Sequence, residues 1–386
     1  MPEHQAAPGT DRIGQGYSCS PDSAWGCVRM WIKGARPLTL VISVVSVLSA
    51  AVPSYLFARG YGLFVLRGHA GREGTVYTPV SRTGDSAAIL RFAAVAVLCL
   101  TVAVSMQIAA NYFNDYADGV KGVDAGRSDE GTERPESGAG RLKAASGPGF
   151  NAPQRLVASG VPPRKVLKAG VICTVIAIAA GIAAAGITRL WALPAVGLLC
   201  IAAAWFYSGG KKPYGYRGLG EAAAFAVFGP VAVFGTEWAL LGVYMGDYIR
   251  YSGARSLAAP VGSGALALIL MLLNNMRDAE SDRVHGKLTF SATAPRGWSL
   301  AALIAAVAVC QCIQSRTVIY VAGMSCAMHP PVAAAVAAIG VLQLVFAVFV
   351  IIFAYTYRYH SAFCVCIALA YNYVAVMVAE GFIAVL

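Results

Sequence analysis

Charge is what this 386-residue sequence has least of: Asp, Glu, Lys and Arg together make up 13% of it, against about a quarter in an ordinary soluble chain. That scarcity excludes a water-soluble globule, and a hydrophobic content of 58% points to a chain whose solvent is a bilayer. Cysteine metal patterns are missing too. The ten cysteines form no CxxC pair and no His/Cys set at ligand spacing. Cys99, Cys173, Cys200, Cys310, Cys364 and Cys366 sit in or beside apolar runs as small packing residues. The first 26 residues lack the basic start and apolar core of a signal peptide and read as a flexible cytoplasmic tail. The net charge of +11 is scattered between apolar runs and not gathered in one domain, which argues against a nucleic-acid partner.

Long apolar runs are what the chain has instead. They cover roughly 38–57, 87–110, 166–187, 190–207, 220–241, 258–275, 299–315, 332–356 and 361–385, each near the roughly 20 residues that span a bilayer. The expected fold is all-α, a polytopic transmembrane bundle of about nine helices. Residues 27–386 form one membrane domain, with a long loop at 59–85 and a polar, glycine-rich insertion at about 125–152 that composition marks as a flexible flap. With the amino terminus inside, more than two thirds of the 30 Lys and Arg fall on the cytoplasmic side, as the positive-inside rule requires. The first outer loop, with Arg59, Arg67, Arg72 and Arg82, is where that rule fits least.

The scarce acids are concentrated. Seven of the nineteen lie between Asp115 and Glu136, and Asp278, Glu280 and Asp282 make a second group. Both groups close an apolar run. On a helix Asp278 and Asp282 share a face with Asn274 one turn above, and Asn111 and Asp115 repeat that spacing with Asp118 three residues on. Acids at the end of a membrane helix are costly and therefore functional by default. Magnesium takes one or two carboxylates and completes its shell with water and phosphate, so two such clusters can hold two ions about a diphosphate. The expected metal ligands are Asp115, Asp118, Asp278 and Asp282, with Asp124 equally able to face water.

The topology puts both clusters and the segment Tyr207 to Tyr216 at one cytoplasmic mouth. Lys212, Arg283 and Lys287 there could neutralise phosphate or anchor the helices among headgroups; the same alternatives hold for Arg36. Tyr207, Tyr214 and Tyr216 could line an aromatic pocket. A transporter would also carry intramembrane acids, but at the midplane and beside broken helices. A membrane phosphatidyltransferase would confine its acids to one compact motif, whereas here two are far apart in the chain.

Several segments together carry a resemblance: Trp31-Ile32-Lys33-Gly34-Ala35-Arg36-Pro37-Leu38-Thr39-Leu40, Asn114-Asp115-Tyr116-Ala117-Asp118-Gly119, Lys212-Pro213-Tyr214-Gly215-Tyr216, and Asn274-Asn275-Met276-Arg277-Asp278 running on to Ser281-Asp282-Arg283 and Gly286-Lys287-Leu288-Thr289. The chain resembles the UbiA superfamily of intramembrane aromatic prenyltransferases over roughly residues 27–385, and within it most closely the branch acting on 1,4-dihydroxy-2-naphthoate in menaquinone synthesis. The resemblance implies magnesium-dependent transfer of a polyprenyl group from polyprenyl diphosphate within the membrane lipid, with loss of carbon dioxide from the ring. It leaves 4-hydroxybenzoate, homogentisate and haem as other acceptors. It makes Asp115, Asp118, Asp278 and Asp282 the diphosphate-metal ligands, with Asn111, Asn114, Asn274 and Asn275 orienting ligands or waters and Lys212 beside the phosphates. Arg36, Arg155, Arg283 and Lys287, with Tyr207 and Tyr214, complete the substrate-binding set. Two departures stand out: Gln154 to Gly160 is displaced from the first acid motif by the insertion, and Val41 replaces a proline usual after the Arg-Pro pair.

Overall fold

The structure, a computed structural model, describes residues 24–60, 66–71, 74–79, 86–122, 155–241, 257–326 and 330–383. The described residues begin with a short helix, α1 (Ala24–Gly34), and a 3-10 turn (Pro37–Leu40) leading into α2 (Val41–Gly60). Between α2 and α3 (Ser86–Val120) the described residues include two short antiparallel segments, β1 (Leu66–Gly71) and β2 (Gly74–Pro79), beside a bundle that is helical as expected. Then follow α4 (Pro163–Thr188), α5 (Leu193–Ser208), α6 (Gly220–Leu241), α7 (Ala258–Val284), α8 (Arg296–Cys326), α9 (Pro330–Tyr355) and α10 (Tyr359–Ile383).

Each of the nine expected spans is a helix. Among the described residues eight are long and apolar enough to cross a membrane, which makes this a multi-pass membrane protein. The exception is α5, whose 16 residues rise only about 24 Å against a hydrocarbon core of about 30 Å. By the same geometry α3, with 35 residues, is about 50 Å long. It therefore outruns the apolar slab, and the first acid cluster lies on its last turns.

The centre of the bundle is α7. In its apolar window 72% of residues are buried, against 11% for α3, so α7 is enclosed by protein while much of α3 faces outward. Ile269, Leu272 and Leu273 of α7 pack with Val45 of α2, Leu303 of α8, Val350 of α9 and Leu369 and Tyr373 of α10. Outward-facing Leu90, Val97, Leu199 and Phe349 are exposed, as expected of side chains that meet lipid. α6 is interrupted by a π turn at Val227–Val231, where Pro230 breaks the regular ladder. The Phe228 carbonyl at this turn lies 2.6 Å from Ser46 Oγ of α2 and 2.9 Å from Ser263 Oγ of α7, tying three helices together. Gly229 permits the approach: a Cβ there would lie 2.4 Å from the Pro260 carbonyl oxygen.

Candidate active site

The polar ends of α3 and α7 meet at a cavity of about 1070 Å³. Its body is walled by apolar side chains, among them Ile42, Val102, Leu198, Val227 and Leu270; where α3 and α7 turn polar, Arg36, Asn111, Asn114, Arg155, Asn274, Asn275, Arg277, Asp278 and Lys287 line it. Tyr207 and Tyr214 line it as well, edge to face with ring centroids 5.6 Å apart.

The wall on the α3 side is built around Asp115. This buried carboxylate accepts the backbone N–H of Leu156 at 2.7 Å and of Val157 at 3.4 Å, so it fastens the segment that resumes after the insertion. Leu156 and Val157 then fit where glycine makes room. A Cβ on Gly34 would stand 2.7 Å from Leu156 Cδ1, and one on Gly119 2.4 Å from Val157 Cγ1. The result places Arg155 beside the next acid: its Nη1 is 3.7 Å from Asp118 Oδ2. Lys287 Nζ lies 3.7 Å from that same oxygen, and the Tyr216 hydroxyl donates to Oδ1 in a very short hydrogen bond. Asp118 is thus enclosed by two cations and a phenol.

On α7, Asp278 lines the cavity and is gripped by its neighbour, with Arg277 Nε 2.6 Å from Oδ1 and Nη2 2.7 Å from Oδ2. Asp282, one turn on, is buried and receives the Thr289 hydroxyl at 3.5 Å, while its backbone carbonyl accepts the Lys287 N–H at 2.8 Å. That turn is what delivers the Lys287 ammonium to Asp118.

Arg36 enters from the other side. It is held at φ 56°, the left-handed region, which costs a non-glycine residue about 1–3 kcal/mol and persists only where the surroundings impose it. Asn111 Nδ2 donates to the Ala35 carbonyl at 3.0 Å and fixes the turn just before it. The guanidinium Nη2 is buried with no hydrogen-bond partner among the described residues. Burial first, and then the charge of Arg155, pull its pKa down to about 10, so it remains a cation at neutral pH. Asn114 Oδ1 is likewise buried and without a partner among the described residues. Burial, reinforced by Tyr207, lifts the Tyr214 phenol to about 12; it stays protonated and donates to the Ala203 carbonyl at 2.8 Å.

Of the residues singled out by sequence, ten line the cavity: Arg36, Asn111, Asn114, Arg155, Tyr207, Tyr214, Asn274, Asn275, Asp278 and Lys287. Asp115, Asp118 and Asp282 do not. They stand behind the lining, holding N–H groups, cations and a hydroxyl. Lys212 is exposed on the turn before Pro213, and Arg283 is committed to the Ala292 carbonyl at 3.1 Å and to Glu280 at 2.7 Å; neither reaches the lining. Tyr216 supports Asp118 and does not line the pocket. Asp124 and the 125–152 insertion lie outside the described residues. The sequence reading missed Arg277, Lys121, whose Nζ is 4.6 Å from the Tyr216 ring centroid, and Glu221. For Glu221 a signal existed: an acid opening an apolar span needs a partner.

The donors fit a cation that is shared with a phosphorylated ligand. Among the described residues no group of three or more His, Cys, Asp and Glu side chains could hold a metal ion. Magnesium does not need one, since water and phosphate oxygens supply most of its shell. Asp278 and the partnerless Asn114 oxygen offer hard oxygen donors at the cavity, and the partnerless Arg36 Nη2 offers a donor to an anion.

Comparison with known proteins agrees with this architecture. The model of the UbiA prenyltransferase family matches residues 83–352. A 1,4-dihydroxy-2-naphthoate octaprenyltransferase of Mycobacterium tuberculosis is 34% identical over 265 residues, covering 68% of this chain and 68% of that protein. A protein of the same name from Mycobacterium leprae is 38% identical over 197 residues, covering 51% of this chain and 56% of the relative. Among solved structures, a UbiA homolog from Aeropyrum pernix K1 shares the fold with a TM-score of 0.55 at 17% identity, over 87% of this chain and 96% of that one. A multi-pass bundle with two acid-bearing helix ends about one cavity, matched by the family model over most of its length, belongs to the UbiA prenyltransferase family.

Proposed function

We propose that the protein transfers a polyprenyl group from polyprenyl diphosphate to 1,4-dihydroxy-2-naphthoate, releasing diphosphate and carbon dioxide and giving a demethylmenaquinol. The observation that carries this reading is the cavity itself. A long apolar body that opens onto a cationic and amide-rich end suits a molecule that is hydrocarbon for most of its length and diphosphate at its head. The names borne by the mycobacterial relatives support the choice of acceptor.

In this reading Arg36, Arg155 and Lys287 bind the diphosphate oxygens, Arg36 through its partnerless Nη2. Magnesium, bound through Asp278 and an amide oxygen such as that of Asn114, would neutralise the diphosphate and make it a better leaving group. Asp115, Asp118 and Asp282 order the cations and loops about that head. We propose that Asp118, already between Arg155 and Lys287, can also enter the metal shell when those cations turn to phosphate. Tyr207 and Tyr214 flank the electron-rich ring beside the allylic carbon, and Asn274 and Asn275 orient it. The apolar walls exclude water, so the cation-like carbon is captured by the ring and not hydrolysed. The distribution of bases supports a cytoplasmic amino terminus and a cytoplasmic opening for this site.

A membrane assay with magnesium, a polyprenyl diphosphate and either 1,4-dihydroxy-2-naphthoate or 4-hydroxybenzoate tests the proposal by product mass. A decarboxylated, prenylated naphthoquinol is the expected product. A prenylated hydroxybenzoate keeps the reaction class and overturns the acceptor, and no magnesium-dependent product from either overturns both.

A further inference from the structure

Among the described residues four acids are buried, Asp115, Asp118, Asp282 and Glu221, and the reaction outlined above makes no use of the last. Glu221 opens α6 and is 6% exposed. Its Oε1 accepts Asn275 Nδ2 at 2.7 Å, while Oε2 is buried with no hydrogen-bond partner among the described residues. A carboxylate at the start of a membrane-crossing helix is expensive, and one hydrogen bond does not account for it.

Asn275 lines the cavity, in company with Gly220, Asn274 and Tyr207. A primary amide has a donor end and an acceptor end. Because a carboxylate accepts and cannot donate, Glu221 fixes which end is which: one N–H of the nitrogen goes to Glu221, and the carbonyl oxygen is the end that Glu221 does not engage. Gly220 brings the aromatic wall to the same place, since a Cβ there would stand 3.3 Å from Tyr207 Cε2 and 3.4 Å from its hydroxyl. A planar aromatic edge and an amide held at its nitrogen end thus line one part of the cavity.

We propose that Glu221 and Asn275 form the subsite that reads the hydroxyl of the aromatic co-substrate. Asn275 Oδ1 accepts the hydrogen bond of that hydroxyl, and Glu221 is a positioning residue that holds the amide in the one orientation able to do so. The ligand class is a hydroxyarene, and an aryl ether of the same shape is rejected because it leaves the oriented oxygen unmatched. This inference rests on the aromatic prenyl transfer proposed above and adds the residues that select the acceptor.

The test uses the full chain in lipid with Glu221→Gln, Asn275→Ala and the double variant. KM is measured separately for 1,4-dihydroxy-2-naphthoate and for the polyprenyl diphosphate, alongside thermal melting and calorimetric binding of the naphthoate without magnesium. Each single variant is expected to raise the naphthoate KM and its dissociation constant about tenfold, the scale of one lost hydrogen bond, and to leave the diphosphate KM within about twofold. The double variant should match Asn275→Ala, since Glu221 acts only through Asn275. The wild type should also discriminate against the monomethyl ether of the naphthoate, and Asn275→Ala should lose most of that discrimination. Unshifted naphthoate constants, a parallel rise in both KM values, or effects that multiply in the double variant would overturn the subsite. If Glu221→Gln fails to fold, Asn275→Ala and the ether comparison decide. A wild type that turns over no dihydroxynaphthoate sinks the proposed reaction; one that does so while the variants stay unshifted sinks the subsite alone.

Discussion

Lys287 and Asp118 form a 3.7 Å ion pair, one partner 9% and the other 0% exposed, that joins the loop after α7 to the polar end of α3. Neither group is cheap to bury alone. Removing one partner of such a pair costs about 3–5 kcal/mol where it leaves an uncompensated charge. Lys287→Met leaves Asp118 with Arg155 as its remaining cation and should lower the melting temperature in lipid, whereas Lys287→Met combined with Asp118→Asn also takes the acid from Arg155 and should lower it further. Turnover should be lost in both, because the ammonium is proposed to meet phosphate. Retained turnover in Lys287→Met would show that the pair is only a brace.

Arg36 separates binding from folding. Its left-handed backbone and partnerless buried nitrogen are features a merely structural arginine would not retain. Arg36→Lys keeps a charge but loses the planar fork that matches phosphate oxygens. The expected result is a rise of at least about tenfold in KM for polyprenyl diphosphate, the scale of a lost charge-assisted hydrogen bond, with little change for the aromatic acceptor. Equal shifts in the two constants would place Arg36 in the frame of the site and not on the diphosphate.

The helices were legible in the sequence because each apolar run must satisfy its own backbone in lipid. So were the helix ends that matter, since acids there interrupt an otherwise unbroken apolar pattern. What periodicity could not give is the rotation of each helix within the bundle. Asp278 and Asp282 share a helix face, yet one lines the cavity and the other lies buried under the Thr289 turn. Arg155 shows the same limit: its distance from Asp118 along the chain hides a contact that Leu156 and Val157 create by filling the space at Gly34 and Gly119. The strands Leu66–Gly71 and Gly74–Pro79 left little signal, because six residues each, with glycines and arginines among them, are too short for alternation to stand out from a loop.

Lys212 and Arg283 had charge and position in their favour, and the structure withholds both from the cavity. An exposed base that touches no ligand contributes little. Lys212→Ala and Arg283→Ala should each change kcat/KM by less than about threefold, a ratio worth under about 1 kcal/mol. A loss of a hundredfold or more in Lys212→Ala would mean that the turn at 209–213 folds over the site during turnover.

Asp278 and Asp115 distinguish an acid that meets the ligand from one that builds the wall. Asp278 lines the cavity and pairs with its neighbour Arg277 where both are partly open to it, so Asp278→Ala should abolish turnover and leave a chain that still inserts, with a smaller loss of melting temperature than Asp115→Ala. Asp115 carries no such exposure to the cavity. It holds two backbone N–H groups of the segment that presents Arg155, and truncating it strands buried donors at about 1–3 kcal/mol each. Asp115→Ala should thus lose turnover together with stability, and Asp115→Asn, whose carbonyl oxygen can still accept one of those N–H groups, should regain more stability than activity. Measuring melting and turnover on the same preparations checks the distinction. Retained turnover in Asp278→Ala would remove the proposed metal contact, and an unaltered melting temperature in Asp115→Ala would show that the loop at 155–160 is held by Leu156 and Val157 alone.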